Sequence, residues 1–346
     1  MRRPGRTHAF AGLVAVCAAG AALYLLVASR APQVAPAATT HATPLVSSTR
    51  EARRLLAAAG IAHARLVFRD LDRRNPSDWG RIATASLTAP GPRRLLGSER
   101  CERVYVEAGR GLCLAKSAGL GTLYKAEIMD ARFRVVHSVA VGGIPSRARI
   151  SPDGRYGATT TFVAGHSYNT PGKFSTQTLL IDLTRGKVIT NLERFRVTLD
   201  GHRVDRPDVN FWGVTFARSS NRFYATMASG HKTYLIQGEI GSRTARVLHE
   251  NVECPSLSPD GTRIAYKKLV AVTPGSPRIW HLHVLDLRTM HDTALAEPDA
   301  IDDQVEWLGN RLVVYAGGEE VRVVRADGTG RPVRLMAAAD SPAVAS

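Results

Sequence analysis

Lysine is scarce in this chain: only 7 of its 46 basic residues are lysine, and the rest are arginine. With abundant alanine, that bias reads as the codon usage of a high-GC genome. Acidic residues are also few, 30 against 46 basic ones, which leaves a formal charge of +16. Such a charge suits an anionic partner. The arginines are spread evenly, however, and no RNP, KH or zinc-finger pattern accompanies them, so nucleic acid is not the expected partner. Cysteine is limited to four residues, with no CxxC and no Cys/His metal spacing, which argues against a zinc module. There is no P-loop and no dinucleotide fingerprint. Long apolar runs are missing as well, with one exception.

The exception is Ala9 to Ala28, 20 residues without a charge. A helix of about 20 residues spans the roughly 30 Å hydrocarbon core of a bilayer. Arg2, Arg3 and Arg6 precede it and place the N-terminus in the cytoplasm by the positive-inside rule. The sequence divides accordingly: a basic cytoplasmic stub over 1–8, a transmembrane helix or signal anchor over 9–28, a linker and short helix over 29–60, and one domain over 61–346. A cleaved signal peptide is the rival reading. The best small-residue site, Ser29-Arg30-Ala31, is followed by Pro32, which disfavours cleavage. The domain is then extracytoplasmic, where disulfides are allowed. Cys101 and Cys113 are the candidate pair, although a regular hairpin register would hold them too far apart.

Residues 31–46, rich in Pro, Ala and Thr, read as an extended linker. Ser48-Thr49-Arg50-Glu51 is a capping box, and Gly60 closes the short helix that follows. Beyond residue 61 the pattern becomes short alternating strands between Gly, Asp and Pro turns. Stacking the segments exposes a repeat. Arg149-Ile-Ser-Pro-Asp-Gly-Arg-Tyr matches Ser256-Leu-Ser-Pro-Asp-Gly-Thr-Arg-Ile-Ala-Tyr. Phe216-Ala-Arg-Ser-Ser-Asn-Arg-Phe-Tyr and Val305-Glu-Trp-Leu-Gly-Asn-Arg-Leu keep the layout with altered turns. A third strand then runs into an Asp and a turn, as in Leu179-Leu-Ile-Asp-Leu-Thr-Arg-Gly and Val284-Leu-Asp-Leu-Arg-Thr. Four-stranded units of this kind are propeller blades. Five are complete, beginning near Cys101, Arg147, Phe211, Cys254 and Asp303. The first unit, from His63, lacks its inner strand. Asp340-Ser-Pro-Ala resembles the start of a blade, so Ser341 to Ala345 is expected to supply that strand and close a six-bladed, all-β ring.

The Ser-Pro-Asp-Gly repeats resemble those of TolB-type propellers. More specifically, Gly165-His-Ser-Tyr, Phe174-Ser-Thr, Asn210-Phe-Trp-Gly-Val-Thr-Phe, Val252-Glu-Cys-Pro-Ser-Leu-Ser-Pro-Asp-Gly and Asp302-Asp-Gln-Val-Glu-Trp resemble the membrane-associated TolB-like proteins of actinobacteria, over residues 60 to 345. The resemblance implies a six-bladed extracytoplasmic propeller. TolB proteins act in cell-envelope complexes with a peptidoglycan-associated lipoprotein. The separate N-terminal α/β domain of those proteins has no counterpart here, which argues against transferring that partner.

In a propeller, the segments entering the inner strands and the loops between second and third strands share one mouth of the channel. Glu99, Glu102, Asp205, Asp208, Asn210, Glu253, Asp302 and Asp303 fall on the former. His166, Ser167, Tyr168 and Lys173 fall on the long loop after Phe162. A mouth so lined would take a basic peptide, another cationic group or Ca²⁺; alternatively, Arg103, Arg203 and Arg206 pair with these acids and only orient loops. No other cofactor is called for. His281 and His283 share a sheet face without an evident third metal ligand, and Trp212, Trp280 and Trp307 read as packing residues. Gly165-His166-Ser167-Tyr168-Asn169 lacks the final glycine and the setting of a nucleophile elbow. The expected function is therefore a monomeric, non-catalytic binding module for a cell-envelope protein or wall polymer. The alternative is a metal-dependent propeller enzyme such as a lactonase or sugar dehydrogenase.

Overall fold

The computed structural model describes residues 49–345, apart from 89–92, 118–122, 166–167, 169–172 and 274–275. The expected membrane helix over 9–28, the stub before it, the linker after it, Cys17, His166 and Ser167 lie outside the described residues. Among the described residues, no helix is long and apolar enough to cross a membrane. One helix, α1 (Thr49–Ala58), precedes the strands. Its Ala52 and Leu56 are buried in a cluster with Leu66 and Phe68 of the first blade and Leu308 and Leu312 of the last. The helix thus covers the junction where the ring closes.

Six sheets follow, antiparallel except for one parallel pair in the fourth. Blade one contains β1 (Arg65–Asp70), β2 (Arg81–Ser86) and β3 (Arg94–Arg100). Blade two is β4 (Arg103–Glu107), β5 (Arg110–Lys116), β6 (Tyr124–Met129) and β7 (Val135–Val141). Blade three is β8 (Ile144–Ile150), β9 (Tyr156–Ala164), β10 (Ser175–Asp182) and β11 (Lys187–Asn191). Two short strands, β12 (Arg196–Leu199) and β13 (His202–Arg203), come before blade four, which is β14 (Asn210–Phe216), β15 (Arg222–Ser229), β16 (Lys232–Glu239) and β17 (Thr244–Glu250). Blade five is β18 (Glu253–Leu257), β19 (Arg263–Ala271), β20 (Ile279–Asp286) and β21 (Asp292–Ala294). Blade six is β22 (Glu306–Leu308), β23 (Leu312–Gly317), β24 (Glu320–Arg325) and β25 (Val333–Ala337). The final strand, β26 (Ala339–Ala345), returns to β1 and completes blade one in the order β26-β1-β2-β3. In this pairing Leu66 faces Val344 and Val67 faces Ala343, and the Arg69 guanidinium grips both Asp340 oxygens at 2.8 and 2.7 Å.

The repeated turns form because their side chains replace backbone partners. In the turn after β8, Ser151 Oγ accepts from Tyr156 N at 2.8 Å and donates to Asp153 Oδ1 at 2.6 Å, while Asp153 accepts from Arg155 N. The turn after β18 repeats the network with Ser258, Asp260, Thr262 and Arg263. Gly154 and Gly261 stand at φ +68° and +75°, the left-handed region that glycine enters without strain. Acids at the ends of the third strands of blades three and five shape the turns that follow: Asp182 accepts from Thr184 N and Arg185 N, and Asp286 from Arg288 N and Thr289 N.

Two features depart from the sequence pattern. Blade four has six strands instead of four, because β12 pairs in parallel with the outer strand β17, with Arg196 opposite Thr244, and carries β13 on its far side. Parallel pairing needs no hairpin turn, so no turn motif announces it. The second concerns Cys101 and Cys113, which form a disulfide with a Cα–Cα distance of 5.4 Å. Val104 faces Cys113 in the hairpin, so a continued register would set Cys101 opposite Lys116. The chain leaves that register: Cys101 N donates to Gly80 O of blade one while Glu102 N donates to Leu114 O of blade two. The bond therefore sits on the crossing between the two blades.

Truncation after Ala338 is expected to lower Tm by on the order of 10 °C in a thermal melt, because blade one loses its inner strand; an unaltered melt would refute the clasp. Cys113→Ala should cost about 3 kcal/mol in denaturant unfolding.

Candidate functional site at the channel mouth

The face carrying the entries to the inner strands is here termed the upper face. Its central feature is a charge cluster assembled from opposed blades. Arg147 rises from β8 in blade three, Lys267 from β19 in blade five, and Asp302 from the segment entering blade six. Lys267 Nζ contacts Asp302 Oδ1, and Arg147 Nη2 lies 3.2 Å from the same oxygen. Lys267 also faces Glu253, its backbone partner across β18 and β19, at 3.7 Å. Lys267 and Glu253 are wholly buried and Arg147 nearly so, whereas 40% of the Asp302 side chain is exposed. Beside them Arg103 of blade two reaches Asp303 at 3.6 Å, and Asp303 accepts from Ala316 N.

Aromatic rings complete the setting. Lys267 Nζ lies 4.1 Å from the Trp280 ring centroid and 4.9 Å from that of Tyr168. Trp280 Nε1 donates to Glu253 Oε1 at 2.9 Å, and Tyr168 shares a hydrogen bond with Ser146 at 2.6 Å. Such ring faces partly replace the water an ammonium loses on burial. Burial opposes the charge on Lys267, yet the nearby Asp302 and Glu253 carboxylates raise its pKa above the ordinary value. Burial likewise pushes the Asp302 carboxyl up, but the Lys267 and Arg147 charges override it and hold it at about 2. Lys267, Arg147 and Asp302 are therefore charged at neutral pH.

Below it, a second pair crosses between the same two blades. Arg149 of β8 contacts Glu306 of β22, donates to Val305 O at 2.9 Å and lies over the Tyr105 ring at 4.5 Å. Between the levels, Gln304 Nε2 donates to Val214 O and Pro255 O, tying blades four and five to blade six. A cavity of about 560 Å³, lined by Tyr105, Arg149, Ser256 and Glu306 among others, opens toward the lower face.

The residues expected at the mouth divide into groups. Glu253, Asp302 and Asp303 converge in the cluster, with Tyr168 above Lys267. Glu102 stands beside it, 3.4 Å from Arg69 and 3.4 Å from Lys116. Asp208 shapes the β15–β16 turn, accepting from Ser229 Oγ at 2.9 Å and Gly230 N at 2.7 Å, with Arg206 3.2 Å away. Asn210 accepts from Thr176 N and joins blade three to blade four. Asp205 is exposed on the rim. Glu99 lies on the outer strand β3, within interaction range of Glu127, and takes no part in the cluster. Among the described residues, no three His, Cys, Asp or Glu side chains are grouped to hold a metal ion. His283 bonds instead to Asp292 at 2.9 Å, and Trp212, Trp280 and Trp307 are buried.

Sequence reasoning passed over the cations Arg147, Arg149 and Lys267. A signal was present: Arg147 and Arg149 alternate along an inner strand, in Ser-Arg-Ala-Arg-Ile, and so share the face turned to the channel. Lys267→Met, which takes the nearer cation from the wholly buried Glu253, should destabilise the fold by about 3 kcal/mol in denaturant unfolding. Stability owed to Asp302 is complete above the ordinary carboxyl pKa of 3.8 and is lost as pH falls toward about 2. Melts between pH 5 and pH 2 should therefore show a shallower acid decline for Asp302→Asn than for the unaltered chain.

No family model matches the sequence, and no curated protein matches it. Solved structures do share the fold. TolB from Acinetobacter baumannii aligns with a TM-score of 0.57 at 16% identity, covering 84% of this chain and 70% of that one. A chain of the nidogen/laminin complex aligns with a TM-score of 0.52 at 10% identity, covering 82% of this chain and 98% of that one. At these identities the likeness is one of architecture: this chain has a six-bladed β-propeller fold, similar to that of both structures.

Proposed function

We propose that this chain is a non-catalytic binding propeller of the cell envelope that docks a protein partner at the upper mouth, with Asp302 as the fixed contact. The observation that carries the reading is the contrast in exposure within one cluster: Lys267 is wholly buried, while the Asp302 carboxylate it holds is 40% exposed. Two cations from two other blades fix that carboxylate before any partner arrives, so little ordering cost remains on binding. Its free face suits a donor such as an arginine, lysine or backbone amide of the partner. Mutual neutralisation of Asp302 and Glu253 with Lys267 and Arg147 fits a recognition surface better than a reactive one. The envelope location rests on the uncharged run from Ala9 to Ala28 and its arginine flank.

The test is photocrosslinking in intact cells from residue 205, on the exposed rim, with mass spectrometric identification of the adduct. A discrete protein adduct is expected. Asp302→Asn should reduce it on the order of tenfold or more, with the variant's folded state checked by its melt. Undiminished capture by a folded Asp302→Asn variant, or capture of a wall polymer in place of a protein, would defeat the proposal.

A further inference from the structure

The lower face holds a separate groove between blades one and two, with a cavity of about 270 Å³. Its floor is apolar. Val67 of β1 and Val106 of β4 are buried there, and Leu96 of β3 and Phe133, in the turn after β6, are half-buried. Its rim is cationic: Arg65 comes from β1, Arg94 from β3 and Arg110 from β5.

These three arginines differ from their neighbours. On the same two blades Arg69 holds Asp340, Arg93 holds Asp70 and Arg134 holds Asp130. Among the described residues, the guanidiniums of Arg65, Arg94 and Arg110 make no ion pair and no hydrogen bond. The acids lining the groove do not cancel them. Asp130 is committed to Arg134 and to the Arg132 and Arg134 amides. Glu107 remains, accepting from Ala108 N at 3.1 Å. Among the described residues, three guanidiniums thus line an apolar trough with a single carboxylate that has no cation partner, Glu107. A solvated basic rim needs no apolar floor, and a floor built only to pack would be covered.

We propose that this groove binds a fatty-acyl carboxylate, with its methylenes along Val67, Leu96, Val106 and Phe133 and its carboxylate in the fork of the rim arginines. Guanidinium matches a carboxylate in a planar, two-point fashion, which selects that head group over a neutral alcohol or an amine. At about 270 Å³ the cavity is slightly smaller than drug-sized ligand sites, which run from about 300 Å³ upward. It holds one chain and leaves no room for a diacyl lipid. Each methylene that enters should tighten binding about fourfold until the groove is full.

The test uses the full chain and dodecanoate carrying a photoreactive group near its tail, with adduct sites mapped by mass spectrometry. Labelling is expected within residues 94–110 and 130–135. Unlabelled dodecanoate should compete, octanoate should compete more weakly, and dodecanol should do so at least tenfold less well. Arg94→Ala with Arg110→Ala should reduce labelling at least tenfold without lowering the melt, because neither side chain holds a partner. Phe133→Asn, suited to the left-handed backbone at φ +59°, should also weaken labelling while leaving charge unaltered. Equal competition by dodecanol, labelling untouched in the double arginine variant, or competition by vesicles of anionic phospholipid and not by dodecanoate would each overturn the proposal.

Discussion

The antiparallel pairing of residues 339–345 with residues 65–70 is the constraint on which both faces depend. A ring of sheets positions residues across its channel only while every blade keeps its angle to the next. An open ring would let blade one drift against blade six, and the pairings that run from one side of the channel to the other would lose their geometry. The Arg69–Asp340 grip and the buried Ala343 hold the seam from within, while α1 covers it from outside. Since residues 339–345 are made long after residues 65–100, the first three strands wait with an uncovered edge until that segment arrives, a state in which such edges are open to mispairing.

The architecture was largely legible because each blade writes its own local grammar. Ser151 and Ser258 close their turns through the same bonds, and proline and glycine at fixed offsets announce them in the sequence. The clasp was legible for a similar reason, since Asp340-Ser-Pro begins like the other inner strands. The illegible parts are those decided between distant segments. The parallel strand of blade four has no turn to betray it. Nor does the spacing of Cys101 and Cys113 disclose that the backbone departs from register one residue before the hairpin begins.

The mouth shows the same division more sharply. Glu253, Asp302 and Asp303 could be singled out from their positions before the inner strands. Their partners could not, because Arg147 and Lys267 lie 155 and 35 residues from Asp302 and meet it only through the curvature of the ring. Glu99 shows the converse error of reading position without side-chain direction: it precedes an inner strand in sequence yet belongs to an outer one. Local chemistry predicts turns well; charge neutralisation across a channel is a property of the closed ring.

The layered charges also bear on what can pass. Beside Arg103, Arg147, Arg149 and Asp303 one small void of about 30 Å³ remains, room for roughly one water molecule. Paired ions meet across the channel at two levels, Lys267 and Arg147 on Asp302 and Arg149 on Glu306. A molecule seated at either opening therefore faces a layer of paired ions. The upper mouth and the groove between blades one and two open on opposite faces of the disc, so a guest held at one leaves the other accessible.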